Sequence, residues 1–80
     1  MPTFRIAGYA FRFYSSDGVE PPHVHVLRDA CEAKVWLAPL ALQHNHGYTQ
    51  RELAEILRLC AENAARLLEA WNGYFADLEP

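Results

Sequence analysis

From Phe4 to Tyr14, aromatic and branched residues alternate with small or polar ones. This period of two predicts a strand. The alternation slips near Gly8: Phe4 and Ile6 share one parity, and Tyr9, Phe11 and Phe13 share the other. A glycine at a parity change predicts a bulge or bend within that strand. Ser15-Ser16-Asp17-Gly18 carries turn chemistry. Pro21-Pro22 then restricts the next residues to a strand start or a sheet edge. His23 to Arg28 predicts a second strand, with Val24 and Val26 on one side and His23 and His25 on the other. Arg28-Asp29-Ala30 reads as a turn. Glu32 to Leu37 predicts a third strand, with Ala33, Val35 and Leu37 opposed to Glu32, Lys34 and Trp36. Pro39 ends it, and Leu40 to His44 suits a short fourth strand at an edge.

The period then changes to that of a helix. Thr49-Gln50-Arg51-Glu52 matches a capping box. Leu53, Ile56, Leu57, Cys60, Ala64, Leu67, Leu68 and Trp71 follow spacings of three and four along one face. Leu59 falls off that stripe and is expected to be exposed. Asn72-Gly73 predicts the C-terminal stop. One helix of about 23 residues would span roughly 34 Å, enough to cross the sheet. The expected architecture is a single α+β domain over residues 1–80: a small antiparallel sheet of three to four strands packed against one long C-terminal helix.

Composition narrows the function. The net charge is −3, whereas a dedicated nucleic-acid binder gains most of its affinity from basic residues. Direct nucleic-acid binding is therefore not expected. Most of the acidity lies after residue 46, where Glu52, Glu55, Glu62, Glu69, Asp77 and Glu79 outnumber Arg51, Arg58 and Arg66. Cys31 and Cys60 form no CxxC motif, too sparse a set for a disulfide-stapled secreted domain. The residues after Met1 lack the apolar segment of a signal peptide, and the apolar run Val35 to Leu42 is far too short to span a membrane. These features predict a cytoplasmic chain with no membrane partner. A hydrophobic fraction of 51% either fills the core or leaves a patch for a partner or a second copy.

The main chemical candidate is Pro21-Pro22-His23-Val24-His25-Val26. On a strand, His23 and His25 share a face roughly 7 Å apart at Cα. They can act as an acid–base pair, converge on one metal, or stand half-exposed as ordinary surface residues. The valines claim the core, so both histidines are expected to be at least partly accessible. A hairpin between the first two strands would bring Arg12 or Tyr14 beside them, close to Asp17, and make an anion or phosphate site. His44-Asn45-His46 repeats the spacing, but Asn45 and Gly47 suit a polar loop before the helix. No cysteine or carboxylate stands at a familiar metal spacing, so no metal or other cofactor is expected. Trp36 lies opposite Val35 and is either covered or an exposed aromatic anchor for a partner.

The opening Met1-Pro2-Thr3, Gly8 before an aromatic strand, Asp17, the Pro21-to-Val26 run and a closing Trp71-Asn72 resemble small bacterial proteins grouped as domain of unknown function 4160. The resemblance covers nearly the whole chain. The family often carries Asp-His before the two prolines; here Gly18-Val19-Glu20 stands instead, so any role of that upstream histidine is absent. The resemblance implies a three- or four-stranded sheet followed by helix, and a genetic context suggesting a toxin–antitoxin-like pair. The leading expectation is thus a small interaction domain that binds a protein partner or forms a homodimer, with Arg12, Tyr14, His23, His25 and Trp36 as candidate binding residues. The rivals are a nuclease or phosphotransfer enzyme using His23 and His25, and a metal-binding module.

Overall fold

The computed structural model describes residues 3–76. Strands β1 (Thr3–Ile6), β2 (Tyr9–Arg12), β3 (His23–Arg28), β4 (Cys31–Leu37) and β5 (Leu40–His46) form one antiparallel sheet in chain order. Two helices follow, α1 (Gln50–Glu62) and α2 (Ala64–Ala76). The α+β class and the antiparallel sheet match expectation. The sheet has five strands instead of three to four, and two helices replace the single long one.

The extra strand comes from the parity slip. The chain reverses at Ala7 and Gly8, with φ +52° and +86°, the two left-handed residues of a tight hairpin turn. Ile6 lies opposite Tyr9 and Phe4 opposite Phe11. Residues of opposite parity in sequence therefore share one sheet face, and the expected bulge is a hairpin. The β3–β4 turn falls at Asp29, also left-handed with φ +54°.

The edge strand expected over Leu40 to His44 forms as β5 and runs on to His46, into the expected loop. His44 and His46 belong to β5, opposite Lys34 and Glu32, with a register shift between Lys34 and Val35. Asn45 still shapes a turn: its amide accepts from the Tyr48 N–H at 3.1 Å and donates to the Tyr48 carbonyl at 3.0 Å.

The capping box forms as expected, with the Glu52 N–H donating to the Thr49 hydroxyl and the Thr49 N–H to the Glu52 carboxylate. The helix breaks at Asn63, whose side chain donates to the Leu59 carbonyl at 2.8 Å. A short amide that competes for backbone acceptors favours such a break. Beyond it, helix continues past Asn72-Gly73 to Ala76, so the expected stop is overridden.

The helices cover the face carrying Phe11, Val24, Val26, Ala33, Val35 and Leu37, which pack with Ile56, Cys60, Leu67 and Trp71. Each valine, leucine, isoleucine or phenylalanine among them contributes roughly 1.5–3 kcal/mol when fully buried. Leu59 is buried instead of exposed, because α1 and α2 touch each other as well as the sheet. Burial pushes the Cys60 thiol up to about 12, so it stays an inert core group. No helix among the described residues lies over the opposite sheet face, as antiparallel sheets permit. No helix among the described residues is long and apolar enough to cross a membrane.

Candidate functional site

At the β3 entrance the uncovered face becomes enclosed. Ser15–Val19 forms a 3-10 turn between β2 and β3. Gly18 in this turn lies so close to α2 that an added Cβ would sit 2.6 Å from the Phe75 ring. The turn's own hydrogen bonds aim Asp17: its N–H donates to the Tyr14 carbonyl at 2.9 Å, and its Oδ2 accepts from the Tyr14 N–H at 2.8 Å.

The Asp17 carboxylate faces both histidines. Its Oδ1 lies 3.3 Å from His23 Nε2 and its Oδ2 lies 3.1 Å from His25 Nε2. The other ring nitrogens are held from behind. His23 Nδ1 is 2.9 Å from the Pro21 carbonyl, and His25 Nδ1 is 3.1 Å from Glu32 Oε2. A carbonyl can only accept, so it fixes a proton on His23 Nδ1 and leaves a lone pair on Nε2 in the neutral ring. His25 lies between two carboxylates at equal distance, Glu32 on Nδ1 and Asp17 on Nε2, both at 3.1 Å, so a neutral ring donates to one and turns a lone pair toward the other. In the neutral rings one lone pair on each histidine therefore faces a carboxylate, an arrangement that favours a positive charge among them.

That charge is either a bound cation or extra protons on the rings. His23 Nε2 bears on the choice, since it is buried and, despite its 3.3 Å approach to Asp17, makes no hydrogen bond. One ligand atom from each of Asp17, His23 and His25 lies within 4.8 Å of the others. In a tetrahedral zinc site, bonds of about 2.0–2.1 Å place neighbouring ligand atoms roughly 3.3–3.4 Å apart. The two Asp17–histidine separations, 3.3 and 3.1 Å, run to different carboxylate oxygens, so the three ligand atoms, now within 4.8 Å, would draw together slightly around one ion.

Burial alone raises the Asp17 carboxyl's pKa. The Tyr14 amide, then the electrostatic pull of His25 and His23, outweigh it and hold the group below the ordinary aspartate value. Aromatic rings form the walls. Tyr14 lies 4.7 Å from the His25 ring, and Trp36 and Trp71 lie 5.5 and 5.1 Å from His23. The His25 and Asp17 side chains keep 13% and 11% of their surface exposed, so the cluster opens to solvent on one side.

The candidates sort unevenly. Arg12 lies opposite His25 in the β2–β3 register, and Tyr14 touches its ring, as the hairpin argument required. His23, expected to be accessible, is fully buried because Trp71 and the turn close over the strand end. Trp36 is half-buried between His23 and the Lys34 ammonium, 4.9 Å from its ring, and not a free anchor. His44 and His46 are exposed and separated from His23 and His25 by the whole of β4, so the two pairs cannot share one ion. Sequence spacing missed the part played by Glu32; its place one turn across the β3–β4 hairpin from His25 was the available signal.

The arrangement is that of a small α+β domain with a two-histidine, one-carboxylate cluster at the end of its central strand. A family model described as Domain of unknown function (DUF4160) matches residues 8–72. The chain belongs to that family, and the matched span contains every residue of the cluster. Neither the curated proteins nor the solved structures yielded a match.

Proposed function

We propose that this domain binds a divalent transition-metal ion, of which zinc is the type, through Asp17, His23 and His25. The observation that carries the reading is the buried, unpartnered His23 Nε2 aimed into a group of two imidazoles and a carboxylate. A nitrogen and oxygen donor set suits zinc and its neighbours over calcium or magnesium. Glu32 and the Pro21 carbonyl act behind the histidines, as outer partners do when they orient metal ligands. Three protein ligands leave a fourth position for water or a substrate atom. Calorimetric titration of the metal-free chain with zinc should show one site per chain. The site should weaken at least about tenfold in Asp17→Asn, the usual scale for losing a group from a metal's surroundings. Absence of heat, or equal binding by Asp17→Asn, contradicts the reading.

A second reading, the interaction domain, draws on β5. All seven of its residues are exposed, Leu40 and Leu42 at 38% and 39%, and its outer edge pairs with no described strand. Such an edge is a surface for strand addition, and a second copy pairing β5 against β5 would cover it. Sedimentation at micromolar concentration that shows only monomer rules out this dimer.

A further inference from the structure

A groove of about 360 Å³ lies on the uncovered sheet face where β1, β2 and β3 run together, lined by Arg5, Arg12, Ala10, Leu27 and Asp29 among others. Arg5 stands opposite Ala10, two residues before Arg12 on β2, so the two arginines are diagonal neighbours on one face. That places them roughly 7–8 Å apart. The ion pairs among the described residues involve other basic groups, so neither arginine has a described carboxylate within 4.0 Å. Two like charges held together without a counter-ion repel each other, and an anion between them removes that repulsion.

We infer that this groove binds the phosphate group of a small hydroxylated phosphate monoester, with Arg5 and Arg12 as its two-sided clamp. Each guanidinium offers a planar fork of N–H donors that matches phosphate oxygens in pairs. Beneath them the floor is small and apolar: Ala10 is 6% exposed and Leu27 half-buried. A carbon skeleton rests there without leaving a polar group unpaired. Asp29, exposed in the β3–β4 turn, is the acidic lining residue. It repels a second phosphate and accepts hydrogen bonds, so it selects hydroxyls on the ligand body. The volume falls in the range of small-molecule sites. Arg28 also lines the groove beside Asp29, but its guanidinium is paired with Glu52 and stacked on the Tyr9 ring. That leaves Arg5 and Arg12 for the anionic end of a ligand and Asp29 for a hydroxylated end. The site goes beyond metal binding and does not depend on it, although Arg12 stands opposite His25.

The test is a titration of the whole chain in chelator with ribose 5-phosphate, inorganic phosphate, ribose and acetate, followed by amide NMR. Ribose 5-phosphate should bind more tightly than inorganic phosphate, and both should shift the amides of Gly8, Ala10 and Leu27. Ribose and acetate should cause no shifts. Arg5→Gln and Arg12→Gln should each weaken ribose 5-phosphate at least about tenfold, the scale of one lost charge-assisted contact. Arg5 is exposed and Arg12 half-buried, and neither change opens a core cavity, so the unfolding temperature should stay close to the parent's. Asp29→Asn should erase the advantage of ribose 5-phosphate over phosphate. The clamp is overturned if millimolar ribose 5-phosphate gives no shifts, if the arginine variants bind as the parent does, or if acetate competes equally. Equal affinity for phosphate and ribose 5-phosphate overturns the hydroxylated body. Failure here leaves zinc binding intact, since that is read with a different ligand and different variants.

Discussion

The chain contains the same dyad twice, His23/His25 on β3 and His44/His46 on β5, with the same spacing on the same sheet. The first pair sits on the central strand, with Asp17 in front, Glu32 and the Pro21 carbonyl behind, and Trp71 closing one side. The second pair sits on an edge strand and is exposed at both positions. Spacing therefore only sets a direction for two imidazoles. Neighbouring strands and the segment before the strand decide whether that direction leads to a site or to water.

The largest effect should separate the enclosed side of the molecule from the open one. Leu67 is fully buried under the sheet, and Leu67→Ala should cost about 2–5 kcal/mol. Leu42→Ala on β5, at 39% exposure, should stay within about half a kcal/mol in chemical denaturation. Comparable losses at both positions would erase the distinction between the two regions.

Gly18 gives the next effect. A Cβ there meets the Phe75 ring at 2.6 Å, so Gly18→Ala should cost about 1–3 kcal/mol through overpacking. It should also displace Asp17 and weaken zinc binding, because the turn holds that carboxylate. Unchanged stability together with unchanged zinc affinity would show that α2 does not position the turn.

The smallest effect should come from pH. Asp17 is held below its ordinary pKa. A carboxyl depressed in the folded state contributes stability above its unfolded pKa and loses it as pH falls through the folded value. The metal-free domain should therefore lose stability below about pH 4, and Asp17→Asn should flatten that part of the profile. Thermal unfolding across pH 7 to 3 checks this, and identical profiles for the two proteins would contradict it.

Much of the fold was legible because local patterns and tertiary packing agree. β3 matches its expected span at both ends, and the Thr49–Glu52 capping box forms. The errors arose where two structures share one pattern. A parity change marks a bulge or a hairpin equally, and only pairing partners distinguish them: Ile6 meets Tyr9. A stripe of threes and fours continues across a break, so Asn63 was invisible as a joint, and Leu59 was misplaced. The histidine face was readable from its spacing of two, and Arg12 and Tyr14 from the hairpin it implied. The sequence marks Asp17 only as a neighbour of the strand. Its carboxylate reaches both rings through the path of the 3-10 turn, which no linear spacing encodes. His23 was expected to be accessible because it alternates with the core valines, but the closure by Trp71 is a contact across nearly fifty positions of chain.

The most direct test of the metal account is thermal unfolding of the parent, His23→Gln/His25→Gln, His25→Gln and His44→Gln/His46→Gln proteins, each with and without zinc. A ligand that binds only the folded state at a hundred times its Kd adds about 2.7 kcal/mol, several degrees or more in a domain of this size. The account predicts that rise for the parent and for His44→Gln/His46→Gln. It predicts loss of the rise in His23→Gln/His25→Gln and in His25→Gln, the latter retaining the buried His23 should the double variant fail to fold. A rise that survives His25→Gln, or that disappears with His44 and His46, would contradict it.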